Sequence, residues 1–337
     1  MKFGIYISFQ HTMQDDIVRK TEEHFEQVRV MRECGFDSLW AGQHWAPHPF
    51  KMLQPVPFLA RAMAEAGDMI IGTNLLLVPF YQPLHVAEIA TTMDIMSGGR
   101  FRLGVGLGYR DVEFENLGVP KKERVGRLVE TIEILRLLWS QERVTYQGKY
   151  YRLKDVGLTS RPVQSPHPPI LIGANLPVAV RRAGRIADGW LASGNVTLEA
   201  LLQLQQEFER GRAEGGRPEP SERYLFIDIF LSEDRNRVLE EVAPNIKAKY
   251  DAFVLWGNVK MESLEVPPEQ LARERLIVGD PDQCKARLRE YHARGGFNHV
   301  IARVQLPGPE HSLEQEKVLR SIRLLGREVA PALRNLA

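Results

Sequence analysis

Cysteine is nearly missing from this chain: Cys34 and Cys284 are the only two among 337 residues. Both fall in predicted helices, on or beside apolar faces, which speaks against a disulfide framework or a thiolate metal site and suits two buried thiols in a cytoplasmic enzyme. Long apolar runs are missing as well. No stretch approaches the ~20 residues of a membrane span, and Met1 to Ser8 lacks the basic region and long apolar core of a secretion signal. Surplus charge is also absent, since 44 Lys plus Arg face 43 Asp plus Glu. That balance offers no electrostatic footprint for nucleic acid or an anionic membrane. Carboxylates are scarce at the predicted strand ends before the fourth loop, so hydrolysis by paired acids is not the expected chemistry.

What is present is a regular alternation of strand-like and helix-like segments, the pattern of a parallel sheet built from βα units. The strands are Lys2 to Phe9, Asp37 to Ala41, Met69 to Val78, Phe101 to Gly108, Pro169 to Gly173, Gly189 to Ser193, Arg223 to Leu231 and Asn298 to Val304. Helices run from about Asp16 to Cys34, up to Ala66, and from about Lys121 to Ser140. Later ones start after Pro177, at the N-cap Thr197 and at Asp280-Pro281. Ser312-Leu313-Glu314-Gln315 reads as a capping box for a last helix. Eight units at this length predict an α/β fold, a single-domain (β/α)8 TIM barrel spanning 1–337. A hairpin near 143–153 and a helical segment at 234–275 are insertions.

The stretch from Met69 to Gly118 organises the rest. Met69 to Val78 is continuously apolar, and Ser97-Gly98-Gly99 stops the helix that follows. In the next strand Gly104, Gly106 and Gly108 face one way, so one strand face is bare backbone against which a flat ligand can lie. A dinucleotide fingerprint does not fit: Tyr109 stands where its third glycine belongs, and an acidic loop, Asp111 to Glu115, follows instead of a helix.

Function in a barrel gathers at the C-terminal strand ends. His44 lies there, in a loop where Pro47 and Pro49 forbid the helix that would turn His44 and His48 into a metal pair, so no metal is expected. The bottom of the barrel shows no comparable polar cluster, which directs the main pocket to the mouth. Phe9, Trp45, Tyr81 and Trp190 are the candidate substrate-pocket side chains. The turn Gly173-Ala174-Asn175 opens a helix with Arg181 and Arg182 one turn inside, a candidate anion perch. A flat slot with a phosphate perch points to a mononucleotide such as FMN, although other phosphorylated ligands fit equally.

Beyond these residue-level readings, the chain resembles the bacterial luciferase-like flavin-dependent oxidoreductases. The resemblance is carried by MKFGIY, CGFDSLWAGQHW, the segment from IIGTNLLLVPF to GLGYRDVEFENLG, TYQGKYYRL, SRPVQSPHPPILIGANLPVAVRRAGRIADGWLASG and VGDPDQCKARLREYHARGGFNHV. It implies a TIM-type barrel, reduced flavin in the mouth and commonly a homodimer. It assigns His44 to chemistry near the flavin and a non-prolyl cis peptide to Asn74–Leu75. Gly106, Gly108, Tyr109, Gly173, Ala174 and Asn175 are placed beside the cofactor. Gln43, Trp45 and Leu107 depart from the luciferase pattern, which removes the expectation of light emission and of a luciferase-like phosphate site.

The first functional reading is a two-component monooxygenase using reduced FMN, supplied by a separate reductase, and O2 to oxidise a small organic substrate. One alternative is hydride transfer with the deazaflavin coenzyme F420, and another is a flavin-binding barrel without turnover. Met63, Met93 and Met96, with many alanines, make the helices after the second and third strands the expected face of a homodimer.

Overall fold

The structure, a computed structural model, describes residues 1–219, 222–257 and 266–336. Its strands are β1 (Lys2–Ile7), β2 (Ser38–Ala41), β3 (Ile70–Thr73), β4 (Phe101–Val105), β5 (Val144–Gln147), β6 (Arg152–Val156), β7 (Ile170–Gly173), β8 (Gly189–Ser193), β9 (Tyr224–Leu231), β10 (Ile277–Gly279) and β11 (His299–Arg303). Eight of them pair in parallel in the order β1-β2-β3-β4-β7-β8-β9-β11, and β11 returns to β1, closing a TIM-type barrel. Strands β5 and β6 form the separate antiparallel hairpin. Glu130 clamps that hairpin to the helix Arg124–Ser140 by accepting the backbone N–H groups of Lys149, Tyr150 and Tyr151.

Alternation along each strand sorts residues into two layers. Phe3, Ile5 and Ile7 of β1 pack outward against the helices, whereas Trp40, Leu171, Leu191, Tyr224 and Ile301 fill the barrel with Tyr6, Ile70, Leu75 and Phe226 beside them. Gly72 makes room for that filling: a Cβ there would sit 2.2 Å from the Trp40 ring. Local signals start the helices as expected. Asp16 caps Ile17–Glu33, Thr197 caps Leu198–Gly215, and Asp280 with Gln283 forms a capping box before Pro281–Gly295.

Five local expectations are corrected. Strand β3 stops at Thr73 and β4 at Val105; beyond them a single bridge joins Leu76 to Val105, and the Asn74–Leu75 peptide just before it is cis. Asp111–Asn116 is a short helix, not a loop. Ser312 does not cap the last helix, whose N-cap is Glu314; its hydroxyl is engaged by the buried His11 ring instead. Strand β10 had no separate signature, and it pairs in parallel with the last residues of the long β9, Ile229 to Leu231. The lower end of the barrel does hold a buried polar cluster: Ser38 Oγ lies 2.7 Å from both His299 Nε2 and Trp40 Nε1, with Glu222 next to His299. The insertion contains the helices Arg235–Leu255 and Pro268–Glu274, and residues 258–265 of that expected segment lie outside the described residues.

Candidate active site

His44 follows β2 in a loop bent by a cis His48–Pro49 bond and by Ala46 at φ 43°. Its Nδ1 lies 3.1 Å from Glu113 Oε1, and the Trp45 backbone N–H donates to the same oxygen at 2.9 Å. Glu113 stands on the short helix after β4 and is fully buried. With the Nδ1 proton given to a carboxylate, Nε2 is left as the proton acceptor. Arg110 stabilises both loops: it donates to the carbonyls of Trp45 at 2.7 Å and Ala46 at 3.1 Å, and lies 3.7 Å from Glu113. Trp256 covers the other face of that guanidinium at 4.2 Å, its ring centroid 4.7 Å from that of His44.

Gln43 supports the floor. Its Oε1 accepts from Leu77 N at 3.1 Å, its Nε2 donates to Gln54 Oε1 and Tyr81 Oη, and its backbone N–H donates to Leu75 O. The expected bare slot along the glycines is occupied by the protein itself. A Cβ on Gly104 would meet Thr73 O and Leu191, one on Gly106 would meet Leu75 at 2.7 Å, and one on Gly108 would meet Phe80 and Phe114. Leu75 also lies over Gly173, 2.4 Å from where its Cβ would be. Gly106 and Gly173 therefore accommodate Leu75, so a flat ligand would rest on that side chain and its backbone, not on bare strand.

Several buried polar atoms of the mouth have no protein partner: Ser8 Oγ, Trp45 Nε1, Asn74 Nδ2, Tyr109 Oη and Glu113 Oε2. Burial, with the Glu113 charge adding to it, raises the Tyr109 phenol above its ordinary range, so it stays protonated and presents a donor. Across the mouth, Asp228 of β9 accepts from Arg303 of β11 at 2.7 and 3.0 Å and from Lys249 Nζ at 2.5 Å. Lys249 also donates to Asn195 Oδ1 at 3.1 Å. Burial and the nearby Arg303 charge pull the Lys249 ammonium down to about 7. Burial alone would raise Asp228, but Arg303 and Lys249 bring it below the usual carboxylate value.

The structure brings His44, Trp45, Asn74, Leu75, Tyr81, Gly106, Gly108 and Tyr109 together, with Gly173 behind Leu75. Two candidate pocket residues are elsewhere. Phe9 is fully buried between barrel and helices, edge-on to Phe58 at 4.9 Å and near His24, because it shares the outward alternation of Phe3, Ile5 and Ile7. Trp190 faces outward from β8 onto Phe208, its Nε1 donating to Ala174 O at 2.9 Å. It lines a shallow cleft with Phe208, Glu222, Arg223, Tyr224 and Phe297, outside the mouth. Asn175 is exposed at the start of the helix Pro177–Ile186, which has no side-chain cap, while Arg181 turns away to Glu214. Glu113, Arg110, Trp256, Asp228, Lys249 and Arg303 carried no site assignment from sequence. The acidic run beginning at Asp111, beside a strand end, was the one signal that could have pointed to Glu113.

A family model described as luciferase-like monooxygenase matches residues 1–297. The chain belongs to this family. It is 32% identical over 319 residues to a Microbacterium testaceum (strain StLB037) protein named F420-dependent glucose-6-phosphate dehydrogenase, covering 90% of this chain and 91% of that protein. It is 25% identical over 345 residues to 4-hydroxyprotoasukamycin monooxygenase of Streptomyces nodosus subsp. asukaensis, covering 98% and 92%. The monooxygenase RslO1 from Streptomyces bottropensis shares the fold, with a TM-score of 0.87 at 23% identity over 98% of this chain and 99% of that one. The luciferase-like chain is thus an oxidoreductase, and among the described residues no helix is long and apolar enough to cross a membrane.

Proposed function

We propose that this luciferase-like protein is a deazaflavin-dependent dehydrogenase that removes a hydride from a hydroxyl-bearing small molecule. The observation that carries the reading is His44 tied through Nδ1 to the buried Glu113. Oxidising an alcohol requires a base for the hydroxyl proton at the moment the C–H bond gives up its hydride, and a neutral imidazole oriented by a carboxylate is such a base. Curated relatives at 28–32% identity named F420-dependent glucose-6-phosphate dehydrogenases support the cofactor class. This replaces the FMN-and-O2 reaction as the first reading.

The unpartnered Asn74 Nδ2, Tyr109 Oη and Ser8 Oγ fit a polar heterocycle resting on the Leu75 platform. The Gly173-Ala174-Asn175 turn and the uncapped helix after it would take an anionic side chain. When bound, the cofactor accepts the hydride. The chain's own part is to hold the substrate hydroxyl at His44 Nε2, keep the imidazole in one tautomer through Glu113, and exclude water with Trp45, Tyr81 and Trp256. The FMN-dependent monooxygenase remains the second reading, favoured by the relative named 4-hydroxyprotoasukamycin monooxygenase.

Titration with F420 and with FMN, followed by anaerobic turnover with glucose 6-phosphate and simple secondary alcohols, tests the proposal. Reduction of F420 without oxygen supports it. Tight binding of reduced FMN with oxygen-dependent product, and none with F420, would establish the second reading. We also propose a twofold homodimer. Met93 is buried against the barrel and is withdrawn from the expected face, but Ile95 and Met96 at the end of Pro83–Met96 are 44% and 55% exposed. Sedimentation should give twice the 38.4 kDa chain mass, and a monomer at micromolar concentration would exclude it.

A further inference from the structure

We propose that Trp256 is the positioning residue of the His44 base, reaching it from the insertion and fixing the imidazole through face contact and through Arg110. The chemistry it serves rests on the dehydrogenase reading, whereas its geometry does not.

Four contacts converge on the one indole. Its ring lies 4.7 Å from the His44 ring at 57°, Phe50 meets it edge-on at 5.3 Å, the Arg110 guanidinium stands 4.2 Å above it, and its Nε1 donates to the His48 carbonyl at 3.0 Å. Trp256 is 6% exposed, yet it follows the helix Arg235–Leu255, whose neighbouring residue Leu255 is 70% exposed. The helix itself packs through Val242, Ile246, Tyr250 and Phe253, and Trp256 just beyond its end adds a directed contact to the β2 loop.

The latch reaches the base by two routes. A single hydrogen bond at Nδ1 leaves an imidazole free to rock about its side-chain torsions; an indole on one side and Tyr109 edge-on at 5.8 Å restrict it to the orientation that meets Glu113. The second route is Arg110, whose N–H groups donate to the carbonyls of Trp45 and Ala46 while the Trp256 ring, stacked on the guanidinium, holds its plane in that orientation. The same helix carries Lys249 to the opposite wall. The insertion thus touches both the Asp228–Arg303 pair and the loop that carries the base, although that loop is some 200 positions away in the chain.

The test compares Trp256→Phe, which keeps a ring on His44 and Arg110 but lacks the indole N–H, with Trp256→Leu, which lacks both. In the unliganded protein, proton NMR should show the imidazole N–H held by Glu113 as a slowly exchanging downfield resonance, assigned by its loss in His44→Asn. The resonance should persist in Trp256→Phe and broaden or vanish in Trp256→Leu at unchanged far-ultraviolet circular dichroism. If Trp256→Leu does not fold, Trp256→Met, whose unbranched side chain adapts more readily to the space, takes its place. With whichever cofactor and substrate turn over, kcat should fall about 10-fold or more in the leucine variant with KM within about 3-fold, and the phenylalanine variant should recover most of the loss. A folded Trp256→Leu that retains the resonance overturns the proposal. If no cofactor supports turnover, the dehydrogenase reading fails and the resonance still decides the role of Trp256.

Discussion

His44 Nδ1 and Glu113 Oε1 meet at 3.1 Å although 69 positions separate them, one residue in the loop after β2 and the other on the helix after β4. The pair exists because β3 lies between those two strands in the sheet and both loops converge on the same side of it. Glu113 keeps a second oxygen without a protein partner. His44 therefore has an orienting group behind it and an open nitrogen in front.

Replacing His44 by Ala should leave cofactor affinity within a few-fold and slow turnover by ~10² or more, because the hydroxyl proton loses its acceptor while the binding surface stays in place. Equilibrium titration measures the first quantity and stopped-flow hydride transfer the second. Full turnover per folded molecule would remove His44 from the chemistry.

Leu75 over Gly173 gives a packing prediction. A methyl group on Gly173 would overlap Leu75 Cδ1, whose Cβ-to-tip distance there is 2.4 Å. Leu75 can swing toward the mouth, so Gly173→Ala should cost about 1–3 kcal/mol and weaken cofactor binding together. Adding Leu75→Ala should recover most of the stability but not the affinity. Thermal melting and cofactor titration of the double-mutant cycle check both, and additive losses would show that the two positions do not interact.

Asp228 serves two cations at once, accepting from Arg303 and Lys249 in a fully buried setting. Asp228→Asn leaves both without their counter-charge and should destabilise the fold by about 3–5 kcal/mol. Lys249→Met should cost much less, since Asp228 then keeps its two bonds from Arg303. Urea unfolding of the two variants orders these losses, and equal losses would contradict the argument.

Acid sensitivity follows from His11 and His24, whose Nε2 atoms lie 2.9 Å apart in the interior. Burial lowers His11 to about 4; burial and the neighbouring His11 hold His24 well below its ordinary value. The unfolded chain binds protons on these rings from about pH 6.5 downward while the folded one does not, so their stability contribution is complete above that pH and is lost as pH falls toward 4. Unfolding free energies from urea titrations at pH 7, 5.5 and 4.5 should decline, by roughly 2 kcal/mol for His11 alone at the lowest pH. His11→Asn should flatten the slope, and an unchanged slope would assign the acid loss to carboxylates.

Local chemistry was enough for much of this molecule. The eight barrel strands could be placed because apolar runs, glycine stops and caps such as Thr197 and Asp280 act within a few residues of the element they delimit. His44 was legible for the same reason: Pro47 and Pro49 keep it in a loop directly after a strand. Even the outward direction of Phe9 was written in its alternation with Phe3, Ile5 and Ile7. Tertiary structure alone decided what His44 touches, because Glu113, Arg110 and Trp256 come from two other segments and no local period reports which loops a closed barrel brings together. It also decided that the glycine face would hold Leu75: a missing Cβ records that something approaches, while the identity of the approaching group depends on the path of the neighbouring strand. The Asp228, Lys249 and Arg303 cluster was hidden for the same physical reason, since each charge has an ordinary surface reading until closure of the barrel buries all three together.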